Sequence, residues 1–114
     1  MDAPFSTKQI NDDTLVIVTG EALDNNNSHE MVEAISEAQK NGFKFIVIDM
    51  ARLEFLSSAG VGSIIGTVEI SRDQGGDIVL CNLSEPIFHV LSVLDLADFL
   101  TIKSNVEAAV TGAV

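Results

Sequence analysis

Two short apolar runs constrain the fold of this chain more than any other feature of its sequence. Phe45-Ile46-Val47-Ile48 and Ile78-Val79-Leu80-Cys81 each have the length of a strand, and neither is interrupted by a polar residue. A strand that is apolar on both faces is typical of the interior of a parallel sheet, where both sides are covered. Both runs therefore predict central, buried strands.

Apolar residues at helical spacing occur between the predicted strands. Met31, Ile35 and Ala38 recur three and four residues apart and predict an amphipathic helix over 28–40. The asparagines at 25–27 are able to cap its start. The other predicted helices cover 57–73, begin at Ser84, and cover 106–110. In the helix that begins at Ser84, the apolar face is assigned to Ile87, Val90, Leu91 and Leu94.

The strands and helices together predict an α/β fold with the order ββαβαβαβα. The predicted strands cover 5–10, 15–20, 43–50, 77–81 and 100–102. Strands that alternate with helices favour a mostly parallel central sheet, and the opening hairpin adds an antiparallel edge strand. We expect residues 1–114 to form a single domain with about four helices, because the sequence has no repeat, linker or low-complexity tract.

The charge balance excludes several classes of partner. Seventeen acidic residues against 6 basic ones give a formal net charge of -11, which repels phosphate backbones and anionic membrane surfaces. We therefore expect neither a nucleic acid nor a membrane as partner. The charge either steers the chain toward a basic partner or serves solubility alone. No apolar run approaches the ~20 residues of a membrane span, and no signal pattern opens the chain, so a cytoplasmic location is expected.

The sequence lacks the usual signatures of an enzyme. His29, His89 and Cys81 have no metal-ligand spacing, so we expect two exposed histidines, a buried core thiol and no cofactor. The glycines at 60, 62 and 66 form G-x-G-x-x-x-G, which is one residue longer than a dinucleotide fingerprint. We instead expect Gly62 and Gly66 to let the helix lie close to the sheet.

The most informative stretch is DMARLEFLSSAGVGSIIG, which covers residues 49–66. It predicts that a buried strand ends at Asp49 and that Ser57 and Ser58 lie where a helix begins. A serine in that position either caps the helix, which stabilises it by ~1 kcal/mol, or presents its hydroxyl on an exposed edge. Two adjacent serines can divide these roles.

The same stretch resembles the STAS domain family, and within it the bacterial anti-sigma factor antagonists. The family pattern Asp-Ser-Ser/Thr-Gly-Leu-Gly is similar to Ser57-Ser58-Ala59-Gly60-Val61-Gly62, and its Gly-Glu-Leu-Asp is similar to residues 20–24. The resemblance implies that the chain binds an anti-sigma factor that is also a serine kinase, and so frees a sigma factor. Phosphorylation at Ser58 would end the complex, and a serine phosphatase would reset it. By the same resemblance, Asp24 lies near the interface.

The chain departs from the family pattern at three positions. Ser57 replaces the usual Asp and is a rival phosphate acceptor, Ala59 replaces a small hydroxyl residue, and Ala22 is an insertion. An alternative is therefore a STAS adaptor in another signalling or transport complex that involves no sigma factor. Further partner-binding positions are expected among exposed neighbours of the helix start: Asn25, Asn26, Ser57 and Gly60.

Overall fold

A computed structural model describes residues 5–111, so the predicted domain bounds at 1 and 114 lie outside the described residues. In chain order the elements are β1 (Phe5–Gln9), β2 (Thr14–Thr19), β3 (Ala22–Leu23), α1 (Ser28–Lys40), β4 (Phe45–Asp49), β5 (Phe55–Leu56), α2 (Ser58–Asp73), β6 (Asp77–Cys81), α3 (Glu85–Val93), β7 (Thr101–Lys103) and α4 (Val106–Thr111).

The main sheet has five strands in the order β1-β2-β4-β6-β7. The edge strand β1 is antiparallel to β2, and the other neighbouring strands are parallel. The predicted fold class, a mostly parallel sheet with an antiparallel edge and four helices, is confirmed. None of the helices within residues 5–111 is long and apolar enough to cross a membrane.

The two apolar runs are central strands, as predicted, and their side chains alternate between two cores. Ile46 and Ile48 of β4 belong to the large core beneath α1, α2 and α3, whereas Val47 belongs to a smaller core beneath α4. In β6, Ile78 and Leu80 face the large core, and Val79 and Cys81 face the small one. Since successive side chains of a strand point to opposite faces, an unbroken apolar run is what a strand between two helical layers requires.

Two strands were not predicted. Ala22–Leu23 and Phe55–Leu56 pair in parallel as a separate two-stranded sheet, with Leu23 opposite Leu56. At two residues each, they are too short to show a hydrophobic period. They bring the segment after β2 against the segment that precedes α2.

The prediction about the glycines of α2 is wrong in two respects. Gly62 and Gly66 are exposed, and a Cβ atom at either position would meet nothing within 4 Å. The close approach occurs at Gly60, where a Cβ would lie 2.3 Å from the backbone oxygen of Leu23. Gly60 is therefore buried, not an exposed neighbour of the helix start as expected. The first turn of α2 packs directly on the backbone of β3.

This difference predicts opposite effects for two alanine substitutions in the same helix. Gly60→Ala forces β3 and α2 apart and should lower the free energy of unfolding by about 2 kcal/mol or more. Gly62→Ala meets open space and reduces the freedom of the unfolded chain, so it should raise that free energy by about 0.5–1 kcal/mol. Urea denaturation of both variants measures the difference. Equal effects at the two positions would contradict the packing described for Gly60.

Candidate functional site

The short β3–β5 pair determines where α2 begins. The backbone oxygen of Glu21 accepts hydrogen bonds from the N–H groups of Glu54 (2.7 Å) and Phe55 (3.0 Å). One step further along, the oxygen of Leu23 accepts from the N–H of Ser57 at 3.0 Å. The residue after Leu23 is Asp24, so the pairing brings the Asp24 loop beside the two serines. The sequence resemblance placed these segments near one interface, and the backbone pairing brings them together.

The two serines at the start of α2 have different roles. Ser57 is the N-cap residue, and its hydroxyl oxygen accepts a hydrogen bond from the N–H of Gly60 at 3.2 Å. Its side chain is half-buried. Ser58 is the first helical residue, is exposed, and makes no side-chain hydrogen bond within residues 5–111. The capping and the exposed-hydroxyl roles are thus divided between neighbours.

The Asp24 loop is a compact turn held by its own side chains. A carboxylate oxygen of Asp24 accepts from the N–H of Asn26 at 2.8 Å, and the side-chain oxygen of Asn27 accepts from the N–H of Asp24 at 2.9 Å. Asn27 occupies the N-cap position of α1 but makes no side-chain cap there, because its side-chain oxygen already accepts from Asp24. Its amide NH2 group donates to the backbone oxygen of Ala22 at 2.8 Å. The side chain of Asn27 therefore stabilises the loop rather than capping α1. Asn25 and Asn26 are exposed, as expected.

A second carboxylate holds the connection that leads to the serines. Asp49, the last residue of β4, accepts hydrogen bonds from the N–H of Ala51 and from the side-chain amide of Asn82, both at 3.0 Å. Asn82 follows β6 with a φ of 58°, a left-handed conformation that Asn tolerates better than most residues. These contacts link the ends of two central strands to the segment that carries Ser57 and Ser58.

Ser58 lies on the rim of a shallow apolar groove that the sequence did not predict. The groove has a volume of about 390 Å³ and lies between β5, the start of α2, and the second half of α3. Its lining consists of Leu56, Ser58, His89, Val90, Val93 and Leu94. Val93 is 65% exposed and Leu94 is 47% exposed, so the assignment of Leu94 to the buried face of α3 is wrong.

The composition of α3 does indicate that some of its apolar residues are exposed. Val90-Leu91-Ser92-Val93-Leu94 has more apolar residues than one buried helix face can hold. Leu91 is buried, as assigned. Phe55, which is adjacent to the groove residue Leu56, is 56% exposed and enlarges the apolar surface at this end of the molecule. Exposed apolar residues that cluster in this way are typical of a protein-binding surface.

The loops around the serines are predominantly acidic. Segments 20–27 and 49–57 contain the carboxylates of Glu21, Asp24, Asp49 and Glu54 and one cationic side chain, that of Arg52. Two of these carboxylates, those of Asp24 and Asp49, accept backbone hydrogen bonds and maintain the loop shapes. The loops that flank the apolar groove therefore carry a net negative charge.

Cys81 and the two histidines are placed as the sequence predicted. Cys81 is fully buried, and burial together with the negative charge of Asp49 raises the pKa of its thiol to about 12. His29 and His89 are both exposed on helices. Within residues 5–111, no three His, Cys, Asp or Glu side chains come together as a metal site.

Comparison with known proteins agrees with this geometry. The family model described as the STAS domain matches residues 6–109. The chain belongs to the STAS domain family. An anti-sigma F factor antagonist of Paenibacillus polymyxa is 29% identical over 98 residues, covering 85% of this chain and 83% of its own. An anti-sigma-B factor antagonist of Listeria monocytogenes is 25% identical over 112 residues, covering 98% and 97%.

Solved structures of STAS proteins have the same fold. The anti-sigma factor antagonist SpoIIAA in its unphosphorylated form superposes with a TM-score of 0.81 at 25% identity, covering 96% of this chain and 98% of that one. The Bacillus cell fate determinant SpoIIAA in its phosphorylated form gives a TM-score of 0.74 at 24% identity, covering 95% and 97%. This STAS domain therefore has its family's fold along nearly its whole length.

The division between the serines predicts different effects on stability. Ser57→Ala removes the cap of α2 and should lower the free energy of unfolding by about 1 kcal/mol. Ser58→Ala removes only an exposed hydroxyl and should change that free energy by less than about 0.5 kcal/mol. Urea denaturation of the matched pair measures both effects. A larger loss at Ser58 than at Ser57 would reverse the assignment of the cap.

Proposed function

We propose that this STAS domain is an anti-sigma factor antagonist that is switched by phosphorylation of Ser58. The unmodified domain binds an anti-sigma factor with serine kinase activity and so releases the sigma factor. One observation carries this proposal: Ser58 presents a hydroxyl on the rim of an apolar groove, while its neighbour Ser57 caps the helix. The names of the relatives, which are anti-sigma factor antagonists, support the same role.

The switching reaction is a phosphoryl transfer followed by a hydrolysis. The kinase transfers the γ-phosphoryl group of ATP to the side-chain oxygen of Ser58, the hydroxyl proton is released, and ADP leaves. A serine phosphatase then hydrolyses the phosphoester with water, which regenerates the hydroxyl and yields inorganic phosphate. The solved SpoIIAA structures, one unphosphorylated and one phosphorylated, support a cycle of this kind in the family.

The surroundings of Ser58 allow a phosphate without loss of the fold. Phosphorylation adds a charge of about -1.5 to -2 at pH 7. At the first position of α2, this charge interacts favourably with the helix dipole, and the first turn of α2 contains no acidic residue that would repel it. Since the hydroxyl of Ser58 makes no hydrogen bond within residues 5–111, modification breaks no contact.

The same phosphate opposes partner binding chiefly through desolvation. A basic partner is attracted by negative charge, so repulsion alone is a poor explanation on an acidic surface. The groove beside Ser58 is lined by Leu56, Val90, Val93 and Leu94, and a partner that covers it must remove water from any charge on its rim. A penalty of about 2–3 kcal/mol would weaken binding roughly a hundredfold.

Ser58 is favoured over Ser57 as acceptor by its accessibility. Ser57 is half-buried, and its hydroxyl oxygen already accepts the hydrogen bond from Gly60. Phosphorylation there would have to displace the cap of α2, whereas Ser58 is exposed. Position 57, where the family pattern has an acidic residue, is a serine in this chain. This second serine is thus less available to a kinase than Ser58.

Binding measurements with Ser58 variants test the proposal. Ser58→Asp should weaken binding to the cognate anti-sigma factor by tenfold or more, since it places a carboxylate on the groove rim. Ser58→Ala should bind like wild type, but ATP should no longer release it. Isothermal calorimetry gives the affinities, and mass spectrometry after incubation with ATP locates the phosphate.

Ser57→Ala is the matched control, because it should still be phosphorylated and released. Release of Ser58→Ala by ATP would contradict the proposal at this residue. Capture of a signalling scaffold or a transporter, with no anti-sigma factor among the bound proteins, would instead favour the alternative role as a STAS adaptor.

A further inference from the structure

Ser58 shares its groove with a side chain that can carry positive charge. His89 of α3 lines the same groove of about 390 Å³ as Ser58, and it is exposed. The remaining lining residues, which are Leu56, Val90, Val93 and Leu94, are uncharged and apolar. Among the residues that line this groove, His89 is therefore the one whose side chain can be positively charged. In that form it can donate a charge-assisted hydrogen bond to an anion.

We propose that His89 is a positioning residue for the phosphoryl group on Ser58. Its imidazolium pairs with the phosphate across the groove and holds it over the apolar lining rather than out in solvent. This inference rests on the proposed function only in taking Ser58 as the modified residue. Its consequence is that the phosphorylated groove contains an ion pair, which a partner must desolvate or displace.

The pairing follows from the hydrogen-bonding chemistry of the two groups. A protonated imidazole donates from both ring nitrogens with a positive charge, and a phosphoserine, whose second proton leaves at about pH 6, accepts through three oxygens. Each charged form stabilises the other by a charge-assisted hydrogen bond, so the phosphate should lose its second proton at lower pH when the imidazolium is present.

Other charged groups near His89 modify this pairing but do not replace it. Glu85 lies one turn earlier on α3, and Lys103 lies at the end of β7. Both line the neighbouring groove, to which His89 also contributes, and neither lines the groove of Ser58. Glu85 can accept a hydrogen bond from the imidazole in competition with the phosphate, and Lys103 adds a second cation to the neighbouring groove. The α2 and β5 residues that line the Ser58 groove are Ser58 and Leu56, which are uncharged.

The test uses the full chain with phosphoserine incorporated at position 58 during translation. Phosphorus-31 NMR follows the phosphate resonance between pH 4 and pH 9. In His89→Gln, the titration midpoint of the phosphate should lie higher than in wild type by roughly half a pH unit, the size expected for a partly exposed ion pair. His89→Lys, which retains a cation, should restore a low midpoint.

His29→Gln is the matched control. His29 is also an exposed helical histidine, but it forms a pair with Glu33 at 3.0 Å and does not line the groove. Its substitution should leave the phosphate midpoint unchanged. Equal midpoints in wild type and His89→Gln would overturn the proposal. Because the phosphate is installed without a kinase or a partner, this outcome is independent of the binding measurements that test the proposed function.

Discussion

The contact between the backbone of Leu23 and the first turn of α2 is the constraint on which the site depends. The oxygen of Leu23 accepts the N–H of Ser57, and the absence of a side chain at Gly60 lets the helix lie against the same peptide group. Through this contact, a strand pair of two residues each positions the Asp24 loop beside the serines. A bulkier residue at position 60 would separate the elements that form the surface, even if each element still folded.

At the start of α2, one serine stabilises the helix and its neighbour is the proposed phosphate acceptor. Because Ser57 caps the helix, Ser58 can gain or lose a charge without altering the hydrogen bonds that hold the fold. The groove beside it leaves Val93 and Leu94 largely exposed, an arrangement that favours binding over stability. A charge added on the rim of such a groove would change the desolvation of an interface more than its shape, so the proposed switch requires no large conformational change.

The sequence predicts most of the fold because the core obeys simple periodicities. The longer elements show in their sequence on which faces they are buried. These are the apolar runs around Val47 and Val79 and the helix over 28–40. The short pair of β3 and β5 is too short for any period, and it is held by hydrogen bonds between segments about thirty residues apart. The predicted approach at Gly62 and Gly66 is wrong because their spacing shows that they share a face, not which face packs. The groove arises from the tertiary arrangement of α2 and α3, so the surplus of apolar residues in α3 indicates an exposed apolar surface but not which elements form a groove there.

The central claim is that a phosphate on Ser58 changes binding and leaves the fold intact. Homogeneous protein phosphorylated at Ser58 should be compared with the unmodified protein, both by urea denaturation and by titration with the cognate anti-sigma factor. The account predicts a change of less than about 0.5 kcal/mol in the free energy of unfolding and a loss of affinity of roughly a hundredfold. Undiminished affinity, or a loss accompanied by several kcal/mol of destabilisation, would contradict it.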